Sequence, residues 1–584
     1  MAVSVPIQRT SAPSNYLDDP WDDETLSLWA RRLFWFFGLT LGLIETAASR
    51  FSMNVDGISY LDLGHAYLSR DWNAAINGYW SPLYALLIGG AVGLVNVSPY
   101  WESTITHAVN FLIFVASMAA FEFFLSGLCQ RTQALRPPTE SLEPLPVWSL
   151  RAFGYALFLY AGLVWISIWS VTPDQCVAVV MYLVAGVLLR MQNPTTGWAQ
   201  NVILGILLGV GYLTKAALFP LGLISLFAAL FLPSQERFGK RLARAIVTAA
   251  IFALIGSPLV IALSRAKGRL TFGDAGKLAY AEMVDHLTRY GQWQGEGNVG
   301  VPTHPVRMPL ANPHVYEFAA PVGGTYPPWY DASYWLEGAK THLDVREQFR
   351  VLAASARAYI RCAIEIAGFI LACVVLFSLN RKSYSFWRGL AATWPGWLAA
   401  LAGIGMFSLV LVETRYVASF IVILGLSCLG GFRLLPGART RRIVIGLAAG
   451  VAALSLLATA NVAKRNLYSS TLKPRHRQWE IAQMLMQRGI TPGDTVATII
   501  DHREGDYWAH LANLKIVEEI PLEEMPEVAS LDEESRTDLV RVLREPGAKA
   551  IITSPAPPAG TGFHWERLGD SEYYISSLMQ EGRN

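Results

Sequence analysis

The stretch Pro82-Leu-Tyr-Ala-Leu-Leu-Ile-Gly-Gly-Ala-Val-Gly-Leu-Val-Asn-Val97 decides the fold, because every later segment changes side according to whether this one crosses a membrane. It is apolar, but a spanning helix needs about 20 such residues, with a lower limit near 17. It also carries Gly89, Gly90 and Gly93. The basic residues of the short loops settle the question, since Lys and Arg gather on the cytoplasmic side. If residues 82–97 do not span and the N-terminus is cytoplasmic, one side receives Arg31, Arg32, Arg131, Arg136, Arg190, Arg237, Lys240, Arg241, Arg244, Arg381, Lys382, Arg388, Arg433, Arg439, Arg441 and Arg442. The other side receives only Arg50, Arg70, Lys215 and Arg415. Counting 82–97 as a span would put Arg31 and Arg32 opposite every later basic loop. The stretch is therefore read as an interfacial or re-entrant helix inside a first outer loop, residues 49–104.

Composition agrees with a polytopic membrane protein. The 584 residues are 53% hydrophobic and only 16% charged, against roughly 25% charged in soluble globular chains, and mean hydropathy is +0.32. This excludes a disordered chain, a collagen-like chain and an ordinary cytosolic enzyme. A net charge of +2 offers no basic excess for a phosphate backbone, so no nucleic-acid partner is expected. Cys129, Cys176, Cys362, Cys373 and Cys428 lie in or beside apolar runs without a CxxC pair, which gives no support to a disulfide frame or a zinc ribbon.

About eleven spans follow from runs of roughly 17 to 25 apolar residues, some of them short: Leu33–Ala48, Ile105–Leu128, Ala152–Trp169, Cys176–Leu189, Trp198–Thr214, Ala216–Leu232, Ala245–Leu263, Ala356–Leu379, Leu390–Val412, Tyr416–Leu434 and Ile443–Val462. Residues 1–32 form a cytoplasmic segment with Asp18, Asp19, Asp22, Asp23 and Glu24 and no cleavage-site pattern, so Leu33–Ala48 reads as an uncleaved signal anchor. The transmembrane domain covers 33–462, with the first outer loop and a long outer loop, 264–352. Residues 463–584 read as a separate soluble α/β domain outside the membrane: a helix over His476–Gln487, a strand over Thr495–Ile500, a helix over Leu531–Leu543 and a strand over Ala548–Thr553, suggesting a small parallel sheet.

Ionisable groups at membrane depth are costly and usually functional. This topology brings four of them to one outer rim. Asp56 opens the first loop, in Asn54-Val-Asp-Gly-Ile-Ser-Tyr-Leu-Asp62. Asp174 follows Thr172-Pro, Lys215 ends Gly211-Tyr-Leu-Thr-Lys215, and Arg415 lies in Glu413-Thr-Arg-Tyr416. Each has a plainer reading: a solvated loop residue for Asp56, an N-cap for Asp174, a snorkelling lysine for Lys215, a local ion pair for Glu413 and Arg415. Together they have a shared chemical meaning, because cations at a membrane surface suit a lipid phosphate and a carboxylate beside them suits a general base.

Asp56, the Tyr60/Leu61 and Ala66/Tyr67 pattern, Asp71-Trp72 and Trp80-Ser-Pro-Leu-Tyr84 resemble the first loop of the GT-C superfamily, membrane glycosyltransferases that use polyprenyl-phosphate sugars, with protein O-mannosyltransferases and lipid A aminoarabinose transferases as the nearest kin. Thr172-Pro-Asp174 and Leu213-Thr-Lys215 are similar to later motifs of that group, and the resemblance runs with gaps from Leu33 to Val462. The chain departs from it at Asp56-Gly57, where the family often has Asp-Glu, and at Lys215-Ala216, where it has Lys-Gly. The second carboxylate must then come from Asp174 or Asp62. A divalent metal is possible but lacks an adjacent second carboxylate, and no other cofactor is indicated.

The resemblance implies an inverting glycosyltransferase of the bacterial inner (plasma) membrane, with its site and C-terminal domain extracytoplasmic. It would move a sugar from a polyprenyl-phosphate donor to a hydroxyl acceptor on a glycan, lipid or protein. Asp56 would be the general base, Asp174 a second catalytic carboxylate, and Lys215 and Arg415 the donor-phosphate ligands. Substrate contacts are expected from Tyr60, Asp62, Trp80, Tyr84 and Glu413. In the long loop, where aromatic faces beside acids suit sugars, they are expected from Trp329, Tyr330 and Asp331, with Tyr290-Gly-Gln-Trp293 and Tyr334-Trp335 nearby. Interfacial anchoring is the competing reading of these aromatics. His286, His304 and His314 match no metal-ligand spacing, and Lys473, Arg475, His476 and Arg477 read as a solvated juxtamembrane charge run. The competing functions are a lipid-linked sugar transporter or flippase, against which there is no inverted repeat and no mid-span charge, a polysaccharide ligase, and a non-enzymatic scaffold.

Overall fold

The computed structural model describes residues 22–96, 98–134, 142–193, 197–232, 236–287, 292–295, 299–321, 323–380, 383–472, 475–502, 505–558 and 560–579. Residues 1–21, Val97, Arg136, Tyr290, Arg381, Lys382 and Lys473, named above, lie outside the described residues.

The chain is predominantly helical. The main helices are α1 (Asp23–Ser49), α2 (Val55–Ser69), α3 (Pro82–Val95), α4 (Glu102–Ala134), α5 (Val147–Tyr160), α6 (Asp174–Arg190), α7 (Trp198–Thr214), α8 (Leu218–Leu230), α9 (Phe238–Lys267), α10 (Val345–Glu365), α11 (Ala367–Leu379), α12 (Ser383–Ala392), α13 (Trp394–Ser408), α14 (Thr414–Gly431) and α15 (Ala438–Leu472). Among the described residues, five helices are long and apolar enough to cross a membrane, and up to seven if each of two bent pairs is one span. The chain is thus an integral membrane protein of polytopic helical type. The other expected spans are helices too, but α6 and α7 have 17 residues each and α8 has 13, short for a bilayer.

Two expected spans are not straight. Ala356–Leu379 breaks by 81° between α10 and α11, and Leu390–Val412 contains the 87° break between α12 and α13. A window of hydropathy averages over such breaks. Residues 82–95 form a helix that packs closely on α2 and also touches α4 and α7. Gly64 and Gly89 make this possible: a Cβ on Gly64 would stand 2.9 Å from the Gly89 Cα, so only glycines allow the two backbones to approach this closely.

Seven strands build one sheet: β1 (Arg307–Ala311), β2 (His314–Glu317), β3 (Thr495–Ile499), β4 (Lys515–Glu519), β5 (Ala548–Thr553), β6 (Glu566–Arg567) and β7 (Tyr574–Ser577), in the order β1-β2-β4-β3-β5-β7-β6. The expected parallel core is present as β4-β3-β5, and antiparallel strands flank it on both sides. The hairpin β1–β2 belongs to the long loop, so the sheet is not confined to residues 463–584. Tyr316 of β2 pairs with Glu519 of β4. Beyond the sheet pairing, one buried apolar cluster draws Ile58, Tyr60 and Tyr84 from the first loop, Phe318 and Trp335 from the long loop, and Ile481 and Trp508 from the C-terminal region. The three regions thus pack into one composite α/β layer.

Candidate functional site at the membrane rim

Asp56 is the second residue of α2, and the preceding Asn54 anchors that helix start by accepting from Val171 N at 2.9 Å through its Oδ1. Carboxylates are stabilised at such helix starts by the exposed N–H groups. Asp174 opens α6 directly after Pro173, and its side chain does not cap the helix. Lys215 sits in extended conformation in the break between α7 and α8. Arg415 is the second residue of α14, preceded by Glu413 at the N-cap position. Each group is thus placed by an element end, where the apolar run stops.

These four side chains meet. Arg415 Nη1 lies 3.2 Å from Asp56 Oδ2 and 3.8 Å from Asp174 Oδ2. Lys215 Nζ donates to Asp174 Oδ1 at 2.7 Å and stands 3.9 Å from the centroid of the Tyr416 ring. Arg415 Nε donates to Glu413 Oε2 at 2.7 Å, and its Nη2 to the Tyr416 hydroxyl at 3.2 Å. Asp174 is nearly sealed, its side chain 2% exposed, whereas those of Asp56 and Arg415 keep 15% and 20%. Burial pushes the Asp56 carboxyl above the ordinary carboxylate range, and the Arg415 guanidinium pulls part of that shift back.

A cleft of about 700 Å³ opens on this cluster, lined by Asp56, Glu413 and Arg415 on its charged side. It is also lined by Ala358, Arg361, Cys362 and Glu365 of α10, together with Val164, Trp165 and Ile166. Those last three belong to a π-helical turn, Ala161–Ile166, that widens the end of α5. Such turns are frequent at functional sites. Arg361 forms no ion pair among the described residues, while Glu365 accepts from Trp165 Nε1 at 2.5 Å. Arg361 and Glu365 went unnoticed in the sequence because they lie where an apolar window begins. Glu45, buried near the end of α1 and accepting from Ser167 Oγ at 2.5 Å, was signalled by being a lone acid in the first apolar run.

Several expected contacts lie elsewhere. Lys215 and Asp174 stand behind Arg415 and do not line the cleft. Asp62 is occupied in joining the layer: it accepts from Thr325 N at 2.6 Å and pairs with His510 Nδ1 at 2.7 Å. Tyr60 packs edge-on against Tyr84, whose hydroxyl donates to Asn110 Oδ1 at 2.6 Å. Trp80 Nε1 donates to the Trp329 carbonyl at 3.1 Å, the Tyr330 hydroxyl to the Ala74 carbonyl at 2.7 Å, and Asp331 caps the turn at Tyr334. These bonds fasten the long loop on the first loop, with Tyr330 buried and Trp80 and Trp329 half-buried. His286, His304 and His314 each meet a single separate glutamate, and the described residues hold no group of three or more ligands for a metal ion.

Gly57 explains the departure from the Asp-Glu pattern. A Cβ there would stand 2.7 Å from the Val171 Cβ, so position 57 has no room for a second carboxylate. Besides Asp56, the cluster holds the carboxylates of Asp174 and Glu413, both in contact with Arg415.

Fold and site define a polytopic helical membrane protein with a composite α/β layer and a charged cleft where the two meet. No protein-family model matches the chain, and no curated protein does. Among solved structures it is similar to ArnT from Cupriavidus metallidurans in the apo state, at 13% identity and TM-score 0.41 over 94% of this chain and 98% of that one. It is similar to ArnT from the same organism bound to undecaprenyl phosphate, at 13% identity and TM-score 0.42 over 95% and 99%. A third is the Archaeoglobus fulgidus oligosaccharyltransferase in complex with zinc and sulfate, at 14% identity and TM-score 0.42 over 89% and 68%. At such identities and scores these matches carry no residue assignment across.

Proposed function

We propose that the protein is a membrane glycosyltransferase that moves a sugar from a polyprenyl-phosphate donor to a hydroxyl acceptor, with inversion, on the side of the membrane that holds the composite layer. The observation that carries this reading is the meeting of Asp56 and Arg415 at 3.2 Å on the wall of a cleft bounded by membrane helices.

The Asp56 carboxylate takes the proton of the acceptor hydroxyl. The acceptor oxygen bonds to the anomeric carbon from the face opposite the phosphate. The bond from that carbon to the phosphate oxygen breaks, and its electron pair leaves with the polyprenyl phosphate. Arg415 and Arg361, which both line the cleft, meet the phosphate charge. Lys215 and Asp174 hold the Arg415 head in place from behind.

Arg415 links donor to base. Its guanidinium is shared by Asp56, Glu413 and Asp174 before the donor arrives. A donor phosphate competes for the same N–H groups, which loosens the hold on Asp56 and makes that carboxylate more basic. The base is strongest when a sugar is in place to be attacked.

The test is a reconstituted assay with labelled polyprenyl-phosphate sugar. Sugar leaving the lipid with release of polyprenyl phosphate supports the transferase. Movement of the intact lipid between leaflets indicates the flippase reading, and transfer of whole glycan chains indicates a ligase.

A further inference from the structure

A second cleft of about 300 Å³ lies beside the charged one, and the two share Trp169 as a wall. It sits where three segments leave the bundle: the end of α1 with Ser49 to Ser52, the last turns of α15 at Asn466 to Ser470, and the chain entering α16 (Arg477–Gln487). Three arginines line it, Arg50, Arg475 and Arg477, and no carboxylate does.

The three cations are not equally engaged. Arg50 donates through Nη1 to the Ala47 carbonyl at 2.8 Å and lies 4.8 Å from the Phe51 ring centroid, which fixes its head at the rim. Arg475 has Asp570 Oδ2 at 3.9 Å, a loose contact between two exposed side chains. Arg477 is exposed and makes no ion pair among the described residues. It is the first residue of α16, so the unpaired N–H groups of that helix start add to the positive field. Arg50 and Arg477, brought together from separate elements and without an ion pair among the described residues, repel one another and the loosely paired Arg475, and an anion relieves that repulsion. Guanidinium forks match phosphate oxygens in particular, and Ser469, Ser470 and Asn466 supply further polar groups on the same wall.

We infer that this cleft holds a phosphate group carried by the acceptor, placing the acceptor hydroxyl across Trp169 from Asp56. The acceptor role rests on the transferase reading, while phosphate binding does not. The substrate class is a phosphorylated glycan or a phospholipid headgroup, recognised through the same phosphate chemistry.

The test uses the full chain in phosphatidylcholine nanodiscs, without donor, so that it is independent of transfer. Glucose 6-phosphate and glucose are titrated by calorimetry, and in a second arm the nanodiscs contain phosphatidylglycerol, with retained lipid read by native mass spectrometry. Wild type is compared with Arg477→Gln, with Arg50→Gln/Arg477→Gln, and with Arg50→Lys/Arg477→Lys. Arg477 is exposed, so its single variant keeps the fold, which the thermal midpoint verifies. Glucose 6-phosphate binding that exceeds glucose binding and falls about tenfold in Arg477→Gln supports a phosphorylated glycan acceptor. Phosphatidylglycerol retention that falls in the same variants, without sugar-phosphate binding, supports a phospholipid acceptor. In either case the lysine pair restores part of the loss. Equal binding of phosphate probes by wild type and both glutamine variants overturns the proposal. Asp56→Asn should bind these probes as wild type does, so failure of transfer and failure of this cleft are separate results.

Discussion

Arg415 Nη1 lies 3.2 Å from Asp56 Oδ2, across 359 positions of sequence. The same nitrogen is 3.8 Å from Asp174 Oδ2, so one guanidinium stands between two carboxylates that the first loop and α6 bring to the rim. Two carboxylates this close repel unless a cation separates them. The geometry makes α14 the element that completes the site.

Arg361, which also lines the cleft, has no ion pair among the described residues to lose. Arg361→Gln should therefore leave the thermal midpoint unchanged while weakening donor use by about tenfold to a hundredfold in kcat/KM, read with labelled donor at subsaturating concentration.

Lys215 and Asp174 form a pair at 2.7 Å with the carboxylate side chain 2% exposed. Breaking a buried pair from one side leaves a charge without its partner, so Asp174→Asn should destabilise the protein by about 3 kcal/mol, seen as a lower thermal midpoint. Replacing both residues, Asp174→Asn with Lys215→Met, should recover much of that loss while transfer stays impaired.

The composite α/β layer should loosen at alkaline pH. His510 Nδ1 is 2.7 Å from Asp62 Oδ1 and its Nε2 is 3.0 Å from Glu102 Oε1, with the Tyr507 hydroxyl donating to the same glutamate oxygen at 3.1 Å and Thr325 Oγ1 3.5 Å from Nδ1. Burial opposes the charge on the imidazole, but the two carboxylates outweigh it and hold the ring protonated well above the usual histidine value. A group with a raised folded pKa contributes in full below its unfolded value, about 6.5, and that contribution is lost as pH rises through the folded value. Amide protection over residues 507–511 should fall at least about tenfold through that window, and His510→Gln should flatten the dependence.

Close helix packing sets where Asp56 stands. A Cβ on Gly64 would meet the Ala85 carbonyl oxygen at 2.7 Å, whereas one on Gly90 meets nothing within 4 Å. Gly64→Ala should cost about 1 to 3 kcal/mol and lower transfer by moving α2. Gly90→Ala, measured beside it for thermal midpoint and activity, should do neither.

Much of this was legible in the residues, and the limits have physical causes. Asp56, Asp174, Lys215 and Arg415 stand where apolar runs end, so loop charge bias alone assigned them to one rim, and the structure brings them together. Arg361 and Glu365 escaped because they lie just before the 81° break, at the start of an apolar run, and hydropathy cannot see that break. Trp80, Trp329 and Tyr330 have the composition of a sugar platform, but only the structure reveals the bonds by which they tie the long loop to the first loop. The β2–β4 pairing joins Tyr316 to Glu519, a register no local pattern in a loop rich in Pro and Gly announces.

The most direct measurement compares wild type with Asp56→Asn in proteoliposomes loaded with labelled polyprenyl-phosphate sugar. The account predicts that wild type releases polyprenyl phosphate and yields an inverted glycosidic product, while Asp56→Asn inserts and folds normally but transfers at least about a hundredfold more slowly. Transfer by Asp56→Asn at the wild-type rate would contradict it, as would a wild type that only carries the intact lipid across the bilayer.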